Sequence, residues 1–184
     1  GVHARHGRLV ARAAVLDTIR RRAFRTVVQP IFNLTDGGVA GYEALTRFDD
    51  GRAPDVVIAE AAAIGLEREL DLALVRSALA VGEMLPTGSW LNLNVSPLTV
   101  TGGPQLGGLL AAAKCDIVLE ITEHSQITDY GSFRRAVERL GPAVKLAVDD
   151  AGAGYASLRH ILELNPAVVK LDRVLVSGLD ADEA

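Results

Sequence analysis

Short apolar runs alternate with longer amphipathic stretches along this chain. Six runs have the length and the aliphatic composition of buried strands, and they occupy residues 26–33, 39–48, 90–95, 117–121, 144–148 and 167–171. Stretches with helical spacing separate the later runs, and they occupy residues 54–84, 106–113, 129–140 and 155–164. Pro54 suits a first helical turn, and Asp129 is a suitable N-cap. The pattern therefore predicts an α/β protein with about six strands.

The connections between the runs indicate how the strands pair. A Thr-Asp-Gly-Gly turn at residues 35–38 joins the first two runs, which predicts an antiparallel hairpin. Each later strand follows a helix, which predicts right-handed crossovers and a mainly parallel sheet. An open doubly wound sheet and a barrel both fit this order. A closed eight-stranded barrel usually needs about 250 residues, and the chain has 184.

Residues 1–24 have the pattern of a helix rich in arginine. Leu9, Val10, Leu16 and Ile19 lie among seven arginines counted through Arg25. We interpret residues 1–25 as a linker helix with a solvated basic face that would connect to an upstream domain. Residues 26–184 then form the folded domain proper.

Composition narrows the class of protein. Hydrophobic residues make up 49% of the chain and charged residues 23%, which indicates a globular fold with an aliphatic core. A net charge of −4 argues against general nucleic-acid binding and leaves room for a cation site. The single cysteine, Cys115, excludes an intramolecular disulfide, and the chain shows no signal peptide or long apolar run. We therefore expect a cytoplasmic location, with membrane tethering through a longer parent protein left open.

Acidic and amide side chains fall at or near the carboxyl ends of the predicted strands. They occur on successive strands, and together with one lysine they are Glu43, Asn94, Glu120, Asp149, Asp150 and Lys170. Parallel strands bring their carboxyl ends to one edge, which is where α/β barrels assemble active sites. The sequence therefore predicts that these groups converge.

The charge of this set predicts a cation site. Two carboxylates about 4 Å apart repel by roughly 4 kcal/mol at an effective dielectric constant of about 20. Lys170 and Arg47 supply only two positive charges against four acids. An all-oxygen ligand set of Glu, Asp and Asn suits Mg²⁺ or Mn²⁺, whereas the four histidines and Cys115 show none of the spacings of a zinc site. A divalent cation with oxygen ligands is the expected cofactor.

Each position also has an ordinary structural explanation. Glu43 would be ion-paired at a strand edge, and the Asp149-Asp150 pair would be turn chemistry before a glycine-rich loop. Asn92 and Asn94 share one strand face, so one would be a ligand and the other a packing residue, and the spacing leaves open which. These explanations weaken together, because coincident placement on successive strands is improbable if each residue has an unrelated reason.

Six spaced motifs in this chain resemble those of one known family. They are Gln29-Pro30-Ile31, Tyr42-Glu43-Ala44-Leu45-Thr46-Arg47-Phe48, Asn94-Val95-Ser96, Glu120-Ile121-Thr122-Glu123, Asp149-Asp150-Ala151-Gly152-Ala153-Gly154-Tyr155 and Lys170-Leu171-Asp172. In this order they resemble the EAL-domain cyclic di-GMP phosphodiesterases of bacterial signalling. The resemblance spans residues 26–176.

The resemblance implies a fold and an activity. The fold is a modified TIM-like (β/α)₈ barrel whose first strand runs antiparallel, of which this chain holds about six strands. The activity is hydrolysis of cyclic di-GMP to linear pGpG by a two-metal mechanism with Mg²⁺ or Mn²⁺. The family's barrel continues with two further strands that carry a glutamate ligand and a glutamine. We therefore expect a C-terminally truncated domain, inactive by itself and active at full length.

The same resemblance implies roles for the strand-end residues. The implied metal ligands are Glu43, Asn94, Glu120, Asp149 and Asp150, the last of which would serve the second metal ion. Lys170 would orient or deprotonate the attacking water. Glu43 and Lys170 are therefore the implied catalytic residues.

Other motif positions resemble the family's nucleotide contacts. Gln29, Leu45 and Arg47 would contact the substrate, with Arg47 reaching a phosphate. Glu123 would anchor the loop at residues 149–155, which follows the fifth strand. These assignments come from motif position alone.

Three residues depart from the family's usual pattern. Phe48 stands in place of Trp, and Ala151 and Ala153 replace the usual Phe and Thr, which weakens the expected coupling between this loop and a dimer partner. A homodimer and an upstream sensory or GGDEF-type domain are the implied partners, besides cyclic di-GMP itself. The alternative is a catalytically inactive EAL domain that acts as a cyclic di-GMP receptor or as a protein-interaction module.

Overall fold

The computed structural model describes residues 2–122, 127–151 and 155–177. In chain order its elements are α1 (Val2–Arg21), β1 (Phe24–Phe32), β2 (Val39–Phe48), α2 (Pro54–Ala63), α3 (Glu67–Gly82), β3 (Trp90–Asn94), α4 (Pro97–Thr101), α5 (Pro104–Leu110), β4 (Asp116–Thr122), α6 (Tyr130–Glu138), β5 (Val144–Ala151), α7 (Tyr155–Leu164), β6 (Val168–Leu171) and α8 (Arg173–Val176). The predicted α/β order is confirmed. The short helices α4 and α8 were not predicted, because a single turn carries too few residues to show a helical period.

The helical region after Pro54 is two helices rather than one. Gly65 separates them with a φ of 73°, in the left-handed region that glycine adopts without steric penalty. The Gly65 N–H donates to Ala62 O and the Leu66 N–H donates to Ala61 O, which closes the end of α2. The chain can then start α3 in a new direction.

The six strands form one sheet whose spatial order follows the chain order. β1 and β2 are antiparallel with Gln29 opposite Glu43, and each later pair of neighbours is parallel. The sheet curls into a half-barrel. A doubly wound sheet reverses its strand order at a switch point, and this sheet does not, so the barrel prediction is confirmed.

β5 is longer than the hydrophobic pattern predicted. It continues three residues past the predicted end at residue 148 because Asp149 pairs with Thr122 of β4 and Ala151 pairs with Leu171 of β6. The backbone of Asp149 and Asp150 therefore belongs to the strand, and the interpretation of this pair as a turn is wrong.

Side chains of the central strands alternate between an apolar core on the helix side and a concave face that carries the polar groups among smaller apolar ones. Leu91 and Leu93 of β3 and Leu119 of β4 are buried against the helices, with Leu91 opposite Ile117 and Leu93 opposite Leu119. Burial of each such side chain contributes about 1.5–3 kcal/mol. Asn92 lies between the two leucines and projects to the opposite, concave face of the sheet.

Helix α1 packs against α2 and α3 rather than standing free. Val15 is fully buried in a second apolar cluster that includes Phe24 and Phe48. The guanidinium groups of Arg8 and Arg12 donate to Ala63 O and Ile64 O, which satisfies carbonyls at the end of α2. Part of the basic face therefore caps a neighbouring helix. Within the described ranges, none of the helices combines the length and hydrophobicity needed to cross a bilayer.

Gly41 is required where β2 passes Trp90 at the start of β3. The two residues are opposite each other in the parallel register, and a Cβ on Gly41 would collide with the indole ring. We expect Gly41→Ala to destabilise the protein by about 1–3 kcal/mol through overpacking, measured by thermal or denaturant unfolding. Gly108→Ala is the matched control, because its Cβ would meet open space in helix α5. The control should leave stability unchanged or raise it slightly.

Candidate functional site

The concave face of the sheet carries a row of polar side chains. The register places Glu43 opposite Asn92, Asn94 opposite Glu120, and Asp149 opposite Thr122. Since side chains at paired positions project to the same face, the side chains of Glu43, Asn92, Asn94, Glu120 and Asp149 line the inside of the half-barrel.

Lys170 lies at the centre of this row. Its Nζ is 2.7 Å from both carboxylate oxygens of Glu120, 3.1 Å from Glu43 Oε2 and 3.8 Å from Asp149 Oδ1. The Glu120 side chain is 1% exposed, whereas those of Glu43 and Asp149 are 21% and 27% exposed. Four strands thus bring three carboxylates to one ammonium, which leaves an excess of negative charge.

The two asparagines of β3 differ in environment. Asn94 is exposed at the end of the strand, beside Glu120 in the register. Asn92 is 1% exposed and donates a hydrogen bond from Nδ2 to Glu120 Oε2. Its Oδ1 is buried and has no hydrogen-bond partner in the described part of the chain. Because the strand period places both asparagines on one face, it could not predict which of them is buried.

Two predicted site residues lie wholly or partly outside the described residues. Glu123 is one of them, so the structure says nothing of its anchoring role. The backbone of Asp150 belongs to β5, and its side chain is not described. Their assigned roles stay predictions.

The predicted nucleotide contacts surround Glu43. Gln29 is exposed directly opposite Glu43 on β1, and Leu45 and Arg47 follow Glu43 on the same face of β2. The Arg47 guanidinium donates to Thr46 O and is exposed. Among the described residues, Lys170 is therefore the cation in contact with these carboxylates, and the prediction that Arg47 would neutralise them as well is wrong.

A cavity of about 350 Å³ opens next to this row. The pairing of β2 with β3 stops at Glu43 and Asn92, and beyond that point the cavity lies between the two strands and helices α2 and α3. Leu45, Asn94 and Glu120 line its floor. The volume lies in the range of small-molecule sites in proteins.

Asp71 of α3 fixes the turn that follows Asn94. Its buried Oδ2 accepts hydrogen bonds from Ser96 N at 2.9 Å and Thr99 Oγ1 at 2.6 Å. Ser96 is the N-cap of α4, and its hydroxyl accepts from Thr99 N. Burial raises the pKa of Asp71. The sequence analysis missed this residue, because its partners lie more than twenty positions away in the chain.

Burial and neighbouring charges alter both members of the central ion pair. Burial raises the pKa of Glu120 to about 7, against the opposing hydrogen bonds from Lys170 and Asn92. Burial disfavours the Lys170 ammonium, yet its hydrogen bond with Glu120 and the charges of Glu120, Glu43 and Asp149 outweigh burial, so the pKa of Lys170 is raised. Lys170 therefore keeps its proton at neutral pH and acts as a hydrogen-bond donor, with no free lone pair to accept a proton. This favours the orienting role over the deprotonating one.

The raised pKa of Glu120 predicts a pH dependence of stability. The folded, metal-free protein retains a proton on Glu120 up to about pH 7, whereas the unfolded chain releases it near the ordinary value of 4.5. The free energy of unfolding should therefore fall as the pH rises between these values. Denaturant unfolding in EDTA measures this slope. Glu120→Gln cannot titrate and should show a shallower slope; an unchanged slope would assign the effect to another group, such as Asp71.

The donor set fits a hard divalent cation by charge and by atom type. Three carboxylates face one ammonium, and Asn94 adds an amide oxygen at the same edge. As the side chains stand, the described residues hold no group of three acidic, histidine or cysteine side chains arranged to bind a metal ion. The Lys170 ammonium lies among the carboxylates and supplies the positive charge there.

Sequence comparisons match this chain to one family of bacterial proteins. The family model of the EAL domain matches residues 12–184. The "Probable cyclic di-GMP phosphodiesterase PdeB" of Escherichia coli (strain K12) is 30% identical over 183 residues, which cover 89% of this chain and 34% of PdeB. The chain thus spans about a third of that relative's length.

Two solved structures resemble the fold. A Klebsiella pneumoniae BlrP1 manganese/cyclic di-GMP complex matches with a TM-score of 0.72 and 31% identity, over 85% of this chain and 42% of that one. The Xanthomonas citri FimX EAL domain in complex with cyclic di-GMP matches with a TM-score of 0.78 over 100% of this chain and 77% of that one, and at 19% identity it supports the fold alone. With a family match that spans nearly the whole sequence and a half-barrel of the matching architecture, the chain belongs to the EAL domain family.

Proposed function

We propose that the protein hydrolyses cyclic di-GMP to linear pGpG with the help of two divalent cations. The observation that carries this proposal is the contact of one ammonium, Lys170 Nζ, with carboxylates from three other strands at the edge of a cavity. An excess of carboxylates over ammonium at one edge suits cations that bind a phosphodiester. The names of PdeB and of the BlrP1 complex support the choice of substrate and of divalent metal.

The acidic edge of the half-barrel would hold the cations. The ligands we propose are Glu43, Asn94, Glu120, Asp149 and Asp150. Divalent cations bound there would supply positive charge that activates a water molecule and neutralises the charge that develops on the phosphodiester. The metal-free arrangement supports this assignment, because the buried carboxylate of Glu120 already requires two hydrogen-bond donors to offset its burial.

Lys170 would orient the attacking water. Its ammonium is protonated at neutral pH and lies 2.7–3.8 Å from three carboxylates, so it can donate a hydrogen bond to a water oxygen among them. Attack by this oxygen would form a new P–O bond and break the P–O bond to one ribose 3′ oxygen, which leaves as a hydroxyl by taking up the proton that the water releases. The ring then opens into a linear product.

The substrate would lie along β1 and β2 next to the cavity. Gln29 and Leu45 would contact a nucleotide, and the exposed Arg47 guanidinium would reach a phosphate by exchanging its present contact with Thr46 O. Glu123 would anchor the loop after β5. We also propose that the protein forms a homodimer.

The test is turnover of cyclic di-GMP by the full-length protein. We expect chromatography to show pGpG with Mn²⁺ or Mg²⁺ and no product in EDTA. Cyclic di-AMP serves as the matched control substrate and should not be hydrolysed. Binding of cyclic di-GMP without product under either metal would reject the phosphodiesterase and support the receptor alternative.

A further inference from the structure

Asn92 is a buried polar residue of the concave face, between Glu43 on β2 and Val118 on β4. It lies one layer below Asn94 and Glu120, opposite Val118 of β4, and 1% of its surface is exposed. Val118 is a buried, apolar neighbour on one side of Asn92. A leucine would pack against Val118 as well as an asparagine does, so this apolar neighbour does not explain an amide here.

The amide has one hydrogen bond, and that bond is to the most buried acid of the site. Asn92 Nδ2 donates to Glu120 Oε2, while Lys170 Nζ contacts the same carboxylate from β6. Asn92 Oδ1 is buried without a partner among the described residues. An unsatisfied buried acceptor costs about 1–3 kcal/mol. The unpaired acceptor of Asn92 therefore lowers the stability of the fold, and the hydrogen bond that Asn92 donates to Glu120 offsets this loss.

The two donors to Glu120 differ in how firmly they are held. Lys170 reaches the carboxylate with a long side chain that is 27% exposed, and it also contacts Glu43 and Asp149. Asn92 has two side-chain torsions, lies within the central strand β3 and is enclosed by its neighbours. When a cation competes with the ammonium for Glu120, the contact with Asn92 can persist unchanged.

We propose that Asn92 is a positioning residue that holds Glu120 Oε2 and thereby sets the orientation in which the carboxylate meets a divalent cation. The proposal rests on the proposed function, since it assigns Glu120 to the metal site. Outer partners of ligating carboxylates fix their orientation in this way, and their loss typically weakens metal binding about 10–100-fold. Of the two asparagines that share this face, Asn94 is then the candidate ligand and Asn92 the group that orients a neighbouring ligand.

The experiment measures Mn²⁺ affinity of the full-length protein by calorimetry, separately from turnover. Asn92→Leu keeps the number and branching of the side-chain heavy atoms and removes the donor, and Asn92→Ala removes the donor without the risk of a clash. Both should weaken Mn²⁺ binding about 10–100-fold. In turnover assays at fixed Mn²⁺ below saturation, kcat should fall while KM for cyclic di-GMP changes less than threefold, because Asn92 does not reach the cavity lining.

Val118→Ala is the matched control in the same layer. It creates a small cavity beside Asn92 and should lower the melting temperature without altering Mn²⁺ affinity. The proposal is overturned if both Asn92 variants, folded by their melting curves, bind Mn²⁺ within twofold of the parent, or if Val118→Ala weakens binding equally. Unaffected variants of a parent that does bind Mn²⁺ would leave the proposed function standing. A parent that binds no divalent cation would reject the proposed function itself.

Discussion

Glu43→Gln is expected to reduce hydrolysis of cyclic di-GMP by about a hundredfold or more while the protein stays folded. The amide preserves the size of the side chain and removes the charge of one of the three acidic side chains around Lys170. Glu43 is 21% exposed, so an uncharged amide at this position remains in contact with solvent and creates no buried polar group without a partner. Steady-state turnover and Mn²⁺ calorimetry measure the effect, with circular dichroism as the test of folding.

Glu83→Gln is the appropriate control for this change. Glu83 makes one ion pair, to Lys114 at 3.5 Å, and both side chains are largely exposed. Such surface pairs contribute little to stability, so turnover and Mn²⁺ affinity should match the parent. If Glu43→Gln retained both properties as well, Glu43 would be an ordinary ion-paired strand residue, and its assignment as a ligand would be wrong.

Lys170→Met is expected to destabilise the metal-free protein by about 3 kcal/mol. Three carboxylates would lose the cation that they now share, and the most buried of them, Glu120, would keep only its hydrogen bond from Asn92. The expected loss lies at the low end for a broken buried pair because the lysine is partly exposed. Denaturant unfolding in EDTA measures this loss.

Mn²⁺ should reverse much of the destabilisation in Lys170→Met. A cation that binds only the folded state stabilises it, and the variant offers three carboxylates without a competing ammonium. We therefore expect a larger rise in melting temperature on adding Mn²⁺ for the variant than for the parent. Lys145→Met, which removes an exposed lysine of β5, is the control and should resemble the parent. Equal responses of variant and parent would argue against cation binding at this edge.

Much of the fold was predictable because its signals are local. The hairpin between β1 and β2 follows from a turn sequence, and the central strands follow from runs of aliphatic residues. The grouping of Glu120 and Lys170 was predictable from strand ends, since parallel strands align those ends in space, whereas Glu43 lies in the middle of β2, where its pairing with β3 stops.

The features that the sequence did not reveal depend on distant partners. The end of β5 is set by pairing with β4 and β6. Its last residues include two aspartates, which interrupt the hydrophobic pattern, so that pattern did not predict that the strand continues. In the sequence, Asp71 is an ordinary polar position of an amphipathic helix. Its role depends on hydrogen bonds from the turn after β3, which the sequence does not show. Asn92 and Asn94 are equivalent by strand period, and only the burial of one and exposure of the other separate them.

The chain-order arrangement of the sheet has a consequence for how the protein folds. Each strand pairs with its neighbour in sequence, so the sheet can grow strand by strand as the polypeptide leaves the ribosome, beginning with the hairpin. Glu43, Glu120 and Asp149 all precede Lys170, which arrives on β6, the sixth of the strands in the described residues. We therefore expect the acidic side chains of a partly synthesised chain to repel one another. The repulsion is relieved when β6 pairs with β5 and brings Lys170 among them.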